Sequence, residues 1–306
     1  MKKVLILGAD GNLGEQLVKE FSTKPDYQIV SYDKKDLDLL ERDLIIPKIS
    51  KVSPDVIINT AAYNNVDKCE EFESEYKLAH KINGEALRYL GQAAIKNNAV
   101  LVHYSSDYVF GGDICQKDGC TLECLLDFKE QGGFREDDER CPINKYGSTK
   151  VSGEIELQRL ANKNLKYYII RTSKLFGPKG NSGDSKESFF DLILKISQEK
   201  KVIDVVGEEL SCFTYTPDLA KRTREILEDK KEYGFYHVRN NDPAIWYDAA
   251  REFFRLKKMG IRVNPVSSDK FPRPAKRPKY SVLANTKLPE LRSWKEALRE
   301  YIKINK

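Results

Sequence analysis

The sequence predicts an α/β fold: a Rossmann-type doubly wound parallel sheet carrying a smaller, interleaved C-terminal lobe for substrate. Three observations predict it. Short, continuous apolar runs alternate with helical periods over the first 171 residues, the pattern of parallel strands buried on both faces. The first run opens into a glycine-rich turn, Gly8-Ala9-Asp10-Gly11-Asn12-Leu13-Gly14, where a helix begins. Beyond Arg171 the alternation loosens into helices separated by loop-rich stretches.

Taken in order, strands are expected at residues 4–7, 29–32, 56–58, 100–103 and 167–170, and helices near 13–22, 40–52, 70–97 and 144–163. Loop-rich segments at 177–187 and 264–280 are interleaved with helices near 187–199, 217–229, 245–257 and 294–304. Residues 1–175, with 212–240 returning to them, form the expected nucleotide-binding domain, and 176–211 with 241–306 the expected lobe.

Composition narrows the function. Fifty-two basic against 47 acidic side chains leave +5, too even a balance for a dedicated nucleic-acid binder. No run approaches the roughly 18 apolar residues of a membrane span. The chain opens directly into a strand, leaving no room for a cleaved signal. The six cysteines are expected to stay reduced, with the cytoplasm as the default compartment.

The glycine-rich turn carries the first chemistry. Glycines allow a tight turn and let the backbone approach a pyrophosphate seated on the helix N-terminus. The spacing is G-x-x-G-x-x-G, and Gly8, Gly11, Asn12, Leu13 and Gly14 are the candidate contacts. Asp33 ends the second strand, 19 residues past Gly14, where a carboxylate can bind an adenosine ribose. Lys34 and Lys35 follow at once and could meet a 2′-phosphate, so NADPH and NADH both stay open.

A second motif is Tyr146-Gly147-Ser148-Thr149-Lys150. Tyr and Lys four residues apart share one helix face, where the ammonium is expected to hold down the phenol pKa for proton exchange. In isolation such a pair reads as surface residues of an amphipathic helix. Its place after the glycine turn and after Ser105-Ser106-Asp107-Tyr108-Val109-Phe110 gives it weight.

With these motifs the chain resembles the extended short-chain dehydrogenase/reductases, and specifically the dTDP-4-dehydrorhamnose reductase family. The resemblance also covers Asn59-Thr60-Ala61-Ala62-Tyr63, Val66-Asp67-Lys68-Cys69-Glu70, Asn83, Pro142-Ile143-Asn144-Lys145-Tyr146-Gly147, Arg171-Thr172-Ser173 and the tail Ala275-Lys276-Arg277-Pro278-Lys279-Tyr280-Ser281-Val282-Leu283. It implies that Gly11, Asn12 and Leu13 wrap the cofactor diphosphate, Asp33 the ribose, and Asp38 and Leu39 the adenine side. Ala62, Tyr63, Asn64 and Tyr104 would line the nicotinamide half. Tyr146 would donate the proton, Lys150 would be its partner and ribose anchor, and Ser106 would polarise the substrate carbonyl. Ser106, Asp107, Lys174 and Arg277 are the implied substrate contacts. The implied reaction is NAD(P)H-dependent reduction of a nucleotide-linked 4-keto-6-deoxy sugar, dTDP-4-dehydro-L-rhamnose to dTDP-L-rhamnose. A homodimer is left open, and no metal site is expected.

Three departures bear on the substrate. Lys174 stands where the family usually has Trp, and it could pair with an acidic substrate group or be solvated. Residues 208–214, Glu-Glu-Leu-Ser-Cys-Phe-Thr, replace a family Asp-Gln-x-Gly-x-Pro-Thr, which should alter that loop's backbone. An insertion before Tyr146 holds Cys115, Cys120 and Cys124, with Cys141 beyond, and reads as a surface flap, an oligomer contact or, without paired C-x-x-C hooks, a poor zinc site. A second lengthening, 180–186, reads as a mobile polar loop. The basic run 271–279 reads either as diphosphate contacts from Arg277 or Lys279, or as a Pro-stiffened loop packing the C-terminal helix. Two rival readings follow: another reductase or epimerase on a different nucleotide-sugar, and a non-catalytic regulatory subunit resembling the beta subunit of methionine adenosyltransferase.

Overall fold

The computed structural model describes residues 1–111, 132–183 and 185–305. Six strands form one parallel sheet: β1 (Lys2–Leu7), β2 (Tyr27–Tyr32), β3 (Val56–Asn59), β4 (Val100–Ser106), β5 (Lys166–Thr172) and β9 (Gly234–His237), in the order β2-β1-β3-β4-β5-β9. Side chains alternate along each strand. Val4 and Ile6 face a core with Leu13, Leu17 and Phe21 of α1 (Asn12–Ser22) and Leu219 and Ile226 of α8 (Thr216–Glu228). Leu5 and Leu7 face the opposite core, with Ile45 and Ile49 of α2 (Arg42–Val52), Leu87 and Leu90 of α5 (Ala86–Lys96), and Leu157 of α6 (Lys145–Ala161). Both faces are therefore covered, as the continuous apolar strands require. The order reverses between β1 and β3, which opens a crevice at their C-terminal ends, the place where such sheets bind ligands.

A third core is largely aromatic. Phe190, Phe213, Phe253, Trp294 and Tyr301 bring together α7 (Phe189–Glu199), α9 (Trp246–Leu256) and α10 (Trp294–Ile304). Capping boxes at Ser188 with Asp191 and Ser293 with Glu296 start α7 and α10. Strand pairs β7 (Val202–Val206) with β10 (Arg262–Val266), and β6 (Leu175–Phe176) with β8 (Thr214–Tyr215), complete this part.

Two expectations need correction. The single helix near 70–97 is α3 (Val66–Glu71), α4 (Glu73–His80), a π-turn (Lys81–Glu85) and α5. Phe72 adopts an extended backbone (φ −118°, ψ 122°), and the break lets Glu70 accept from the Lys145 N–H at 2.9 Å, a tertiary contact that helical periodicity does not encode. Residues 264–266, expected as loop, belong to β10. With a proline and a half-exposed pattern, that strand carries no alternation to detect.

One buried ion pair binds α6 to the sheet. Arg171 Nε and Nη2 donate to Glu154 Oε1 and Oε2 at 2.9 and 2.8 Å, with both side chains essentially removed from solvent. The guanidinium also lies 4.5 Å from the Phe235 ring centre and 4.9 Å from that of Phe110. Deleting Arg171 leaves the buried Glu154 with only the longer contact to Arg140 at 3.4 Å. Arg171→Met is expected to destabilise the protein by about 3–5 kcal/mol, measurable by urea denaturation. A loss under 1 kcal/mol would show that the pair is not what holds α6 in place.

Candidate active site

The glycine turn lies at the C-terminal end of β1. The first backbone bond of α1 runs from Glu15 N to Gly11 O at 3.0 Å, and Gly11 supplies no side-chain cap. The N–H groups of Asn12, Leu13 and Gly14 therefore lie ahead of the helical ladder, at its positive end. A Cβ on Gly14 would fall 2.1 Å from Gly8 O, so only glycine allows the helix to start this close to the strand. This cradle fits the diphosphate of a dinucleotide.

Asp33 sits beside it, its Oδ1 accepting from Lys35 N at 2.6 Å and Asp36 N at 3.3 Å. The Lys35 backbone bond in particular holds the carboxyl below its ordinary range, so it is ionised at neutral pH. Asp38 caps the Leu40 N–H at 2.9 Å and lies 3.9 Å from Lys34 Nζ. The Leu39 side chain is packed in the core.

Beyond β3, Ala62, Tyr63 and Asn64 line the other wall. Asn83, in the π-turn, fixes this stretch by accepting from Tyr63 N at 2.9 Å and donating to Tyr63 O and Thr149 Oγ1 at 3.0 Å each. The Tyr63 hydroxyl is bonded to Glu75. Tyr104 turns its side chain into the core, its hydroxyl 2.7 Å from Thr223 Oγ1, and presents its carbonyl to the site.

That carbonyl accepts from Lys150 Nζ at 2.9 Å. Burial pulls the Lys150 ammonium down to about 8, with Glu154 opposing the shift. Tyr146, four residues earlier on α6, lies on the same face, and Asn144 starts the helix by accepting from Gly147 N at 2.8 Å. The expected depression of the phenol is absent. Burial, reinforced by Asp107, raises the Tyr146 pKa well above its ordinary value, and only the neighbouring Ser106 hydroxyl lowers it. Lys150 Nζ is instead hydrogen-bonded to the Tyr104 carbonyl. Tyr146 stands within hydrogen-bond reach of Ser106.

Ser106 Oγ donates to Asp107 Oδ1 at 3.0 Å and accepts from Tyr108 N at 3.1 Å. Asp107 is buried, and its Oδ2 accepts from Ser173 and Ser281 hydroxyls at 2.7 Å each. It orients Ser106 from below rather than opening onto solvent.

Lys174 is half-buried and bonded within the protein. It adopts a left-handed backbone (φ 36°), donates to Glu209 O at 2.9 Å and lies 4.1 Å from the Trp246 ring centre and 5.0 Å from that of Phe213. Burial lowers its ammonium to about 8. Glu209 also accepts from Trp246 Nε1 at 2.9 Å and pairs with Arg273. The altered 208–214 loop is zipped to the tail, Leu210 N bonding Lys279 O at 2.9 Å and Ser281 N bonding Leu210 O at 3.0 Å. The basic run bonds this loop through Arg273 and the Lys279 carbonyl, and Arg277 grips Asp67 with both Nη atoms at 2.9 and 2.7 Å. An anionic group reaching Arg277 would share it with Asp67. Sequence reading missed Glu209, Arg273 and Trp246 as one cluster. The paired departures at 174 and 209 hint at it, but Trp246 arrives only through tertiary packing. Cys115, Cys120 and Cys124 lie outside the described residues. Among the described residues no grouping of metal ligands occurs.

The whole chain, residues 1–306, matches the RmlD substrate binding domain family. The chain belongs to this family. Among its relatives, the spore coat polysaccharide biosynthesis protein SpsK of Bacillus subtilis is 31% identical, covering 99% of this chain and 97% of the relative. A dTDP-4-dehydrorhamnose reductase of Aggregatibacter actinomycetemcomitans is 30% identical over 98% of each. A crystal structure of dTDP-4-dehydrorhamnose reductase from Bacillus anthracis in complex with NADP superposes with a TM-score of 0.85, at 32% identity over 99% of both chains. Family membership and the open cradle agree on the ligand class. Asp33→Ala is expected to weaken NADH binding about tenfold, the scale of one hydrogen bond to a charged group, and NADPH binding less. Equal losses in fluorescence titrations would remove Asp33 from the choice between them.

Proposed function

We propose that this chain is an NAD(P)H-dependent oxidoreductase that reduces a nucleotide-linked 4-keto-6-deoxy sugar, dTDP-4-dehydro-L-rhamnose to dTDP-L-rhamnose. The observation that carries the proposal is Tyr146 and Lys150 on one face of α6, with Tyr146 beside Ser106 at the end of β4 and next to the β1–β3 crevice. The resemblance of the whole chain to dTDP-4-dehydrorhamnose reductases supplies the substrate.

The cofactor, when bound, supplies the hydride. Gly8, Gly11, Asn12, Leu13 and Gly14 would seat its diphosphate, Asp33, Asp38 and Leu39 its adenosine half, and Ala62, Tyr63, Asn64 and Tyr104 would border its nicotinamide half. Lys150 would hold its ribose hydroxyls. Tyr146 protonates the oxygen as negative charge develops on it. Ser106 turns its own proton from Asp107 to the same oxygen, stabilising charge that exists only near the transition state. Asp107 holds Ser106, while Lys174 and Arg277 meet the sugar nucleotide.

The proposal divides the chain into a cofactor domain, 1–175 with 212–240, and a lobe, 176–211 with 241–306. The separate aromatic core supports a distinct lobe, which Phe213 and Tyr215 join from the 212–240 segment. A homodimer and a cytoplasmic location complete the reading, and no helix of the described residues is long and apolar enough to cross a membrane.

Tyr146→Phe is expected to abolish reduction, followed by loss of nicotinamide absorbance, while cofactor binding stays within about twofold. Comparable turnover in the mutant would remove Tyr146 from the mechanism. Cofactor binding without turnover in the wild type would favour the regulatory reading. The Lys150 charge is present below about pH 8 and lost above it. Turnover is therefore expected to fall as pH rises through that value, and the fall should move upward in Lys150→Arg. A profile unchanged by that substitution would detach the alkaline limb from Lys150.

A further inference from the structure

The 180–186 lengthening, expected as a mobile loop, is instead bonded to the glycine turn. Gly180 N donates to Asn12 Oδ1 at 2.8 Å, Asn181 N to Glu15 Oε1 at 2.7 Å, and Ser182 N to Asp10 O at 2.8 Å. Asn12 Nδ2 donates in turn to Lys186 O at 2.8 Å. Gly180 approaches so closely that a Cβ there would lie 2.4 Å from Asp10 O and 2.6 Å from Gly11 C. On the opposite wall, Lys186 Nζ donates to Asn64 O at 2.9 Å. One residue thus touches both sides of the crevice, its backbone on the turn after β1 and its ammonium on the segment after β3.

We propose that Lys186 is a phosphate-binding residue for the cofactor diphosphate, placed over the cradle by the contact of Gly180 with the Asn12 turn. The chemistry is that of a point positive charge across the crevice from the helix N-terminus, the two together bracketing a dianion. The Asn64 carbonyl is a weak partner that an anion replaces. Burial lowers the Lys186 ammonium and nearby Asp67 supports it, consistent with a cation held inside the crevice mouth rather than in open solvent. The inference rests on the dinucleotide reading of the crevice. A diphosphate could also come from the nucleotide sugar, because Arg277 and Asp67 lie within electrostatic reach of Lys186. The contacts with Asn12 and Asp10 favour the cofactor.

The test is equilibrium titration of the intact protein with NADPH, NADH and dTDP, by fluorescence, with Lys186→Ala, Gly180→Val and Lys179→Ala as variants. Lys186→Ala should raise both dinucleotide dissociation constants about tenfold, as for loss of one charge-assisted hydrogen bond, and should flatten their salt dependence. Gly180→Val should produce the same rise by lifting the loop off Asn12, and the exposed Lys179→Ala should produce none. Unchanged dinucleotide affinity in a folded Lys186→Ala overturns the assignment. So does a loss confined to dTDP, which would place Lys186 at the sugar nucleotide. A wild type that binds neither dinucleotide overturns the cofactor reading itself, a result separable from either of these.

Discussion

At the C-terminal ends of β4 and β5 a single buried carboxylate, Asp107, gathers hydroxyl groups from three distant segments. Ser106 comes from the end of β4, Ser173 from the end of β5 and Ser281 from the tail. A carboxylate taken from water this completely is tolerated only where hydrogen bonds replace its hydration. Burial raises its pKa while the three hydroxyls pull it back. The site geometry depends on that satisfaction. The tail is drawn in over the 208–214 loop, and Ser106 is aimed at Tyr146.

The helix bearing Tyr146 is held at its start and its middle by groups from other segments. Asn144 caps its N-terminus and donates to Lys276 O of the tail at 2.9 Å, while Glu154, one turn past Lys150, is clamped by Arg171 of β5. Arg171 also donates to Glu136 O at 3.0 Å, and Glu136 accepts from Thr286 Oγ1 at 2.6 Å. Tyr146 and Lys150 are thereby positioned by the sheet and the tail together, and a change in either reaches the reacting hydroxyl through fixed bonds rather than through a loop.

Much of this was legible in the sequence. The apolar runs marked the strands because parallel strands buried on both faces leave no polar side to interrupt them. The glycine turn and the Tyr146–Lys150 spacing located the site because backbone approach and helical period are local properties. What stayed hidden is tertiary. The break at Phe72 serves a contact with Lys145, and Trp246 reaches Lys174 from a helix that begins 72 residues later. The sign of the Tyr146 shift was missed for the same reason. Spacing places a lysine on the same helix face, but only the packed structure shows its charge committed to the Tyr104 carbonyl.

The raised Tyr146 pKa has a consequence for the order of events. Reduction needs the phenol, and burial keeps that form in place at rest. Forward and reverse rates at one pH stay tied to the overall equilibrium, so the environment of one hydroxyl cannot favour one sense of the reaction over the other. What the desolvated tyrosine fixes is the ready state: the proton is already on the phenol when the ketone arrives, and each turnover must draw a new one from solvent before the next.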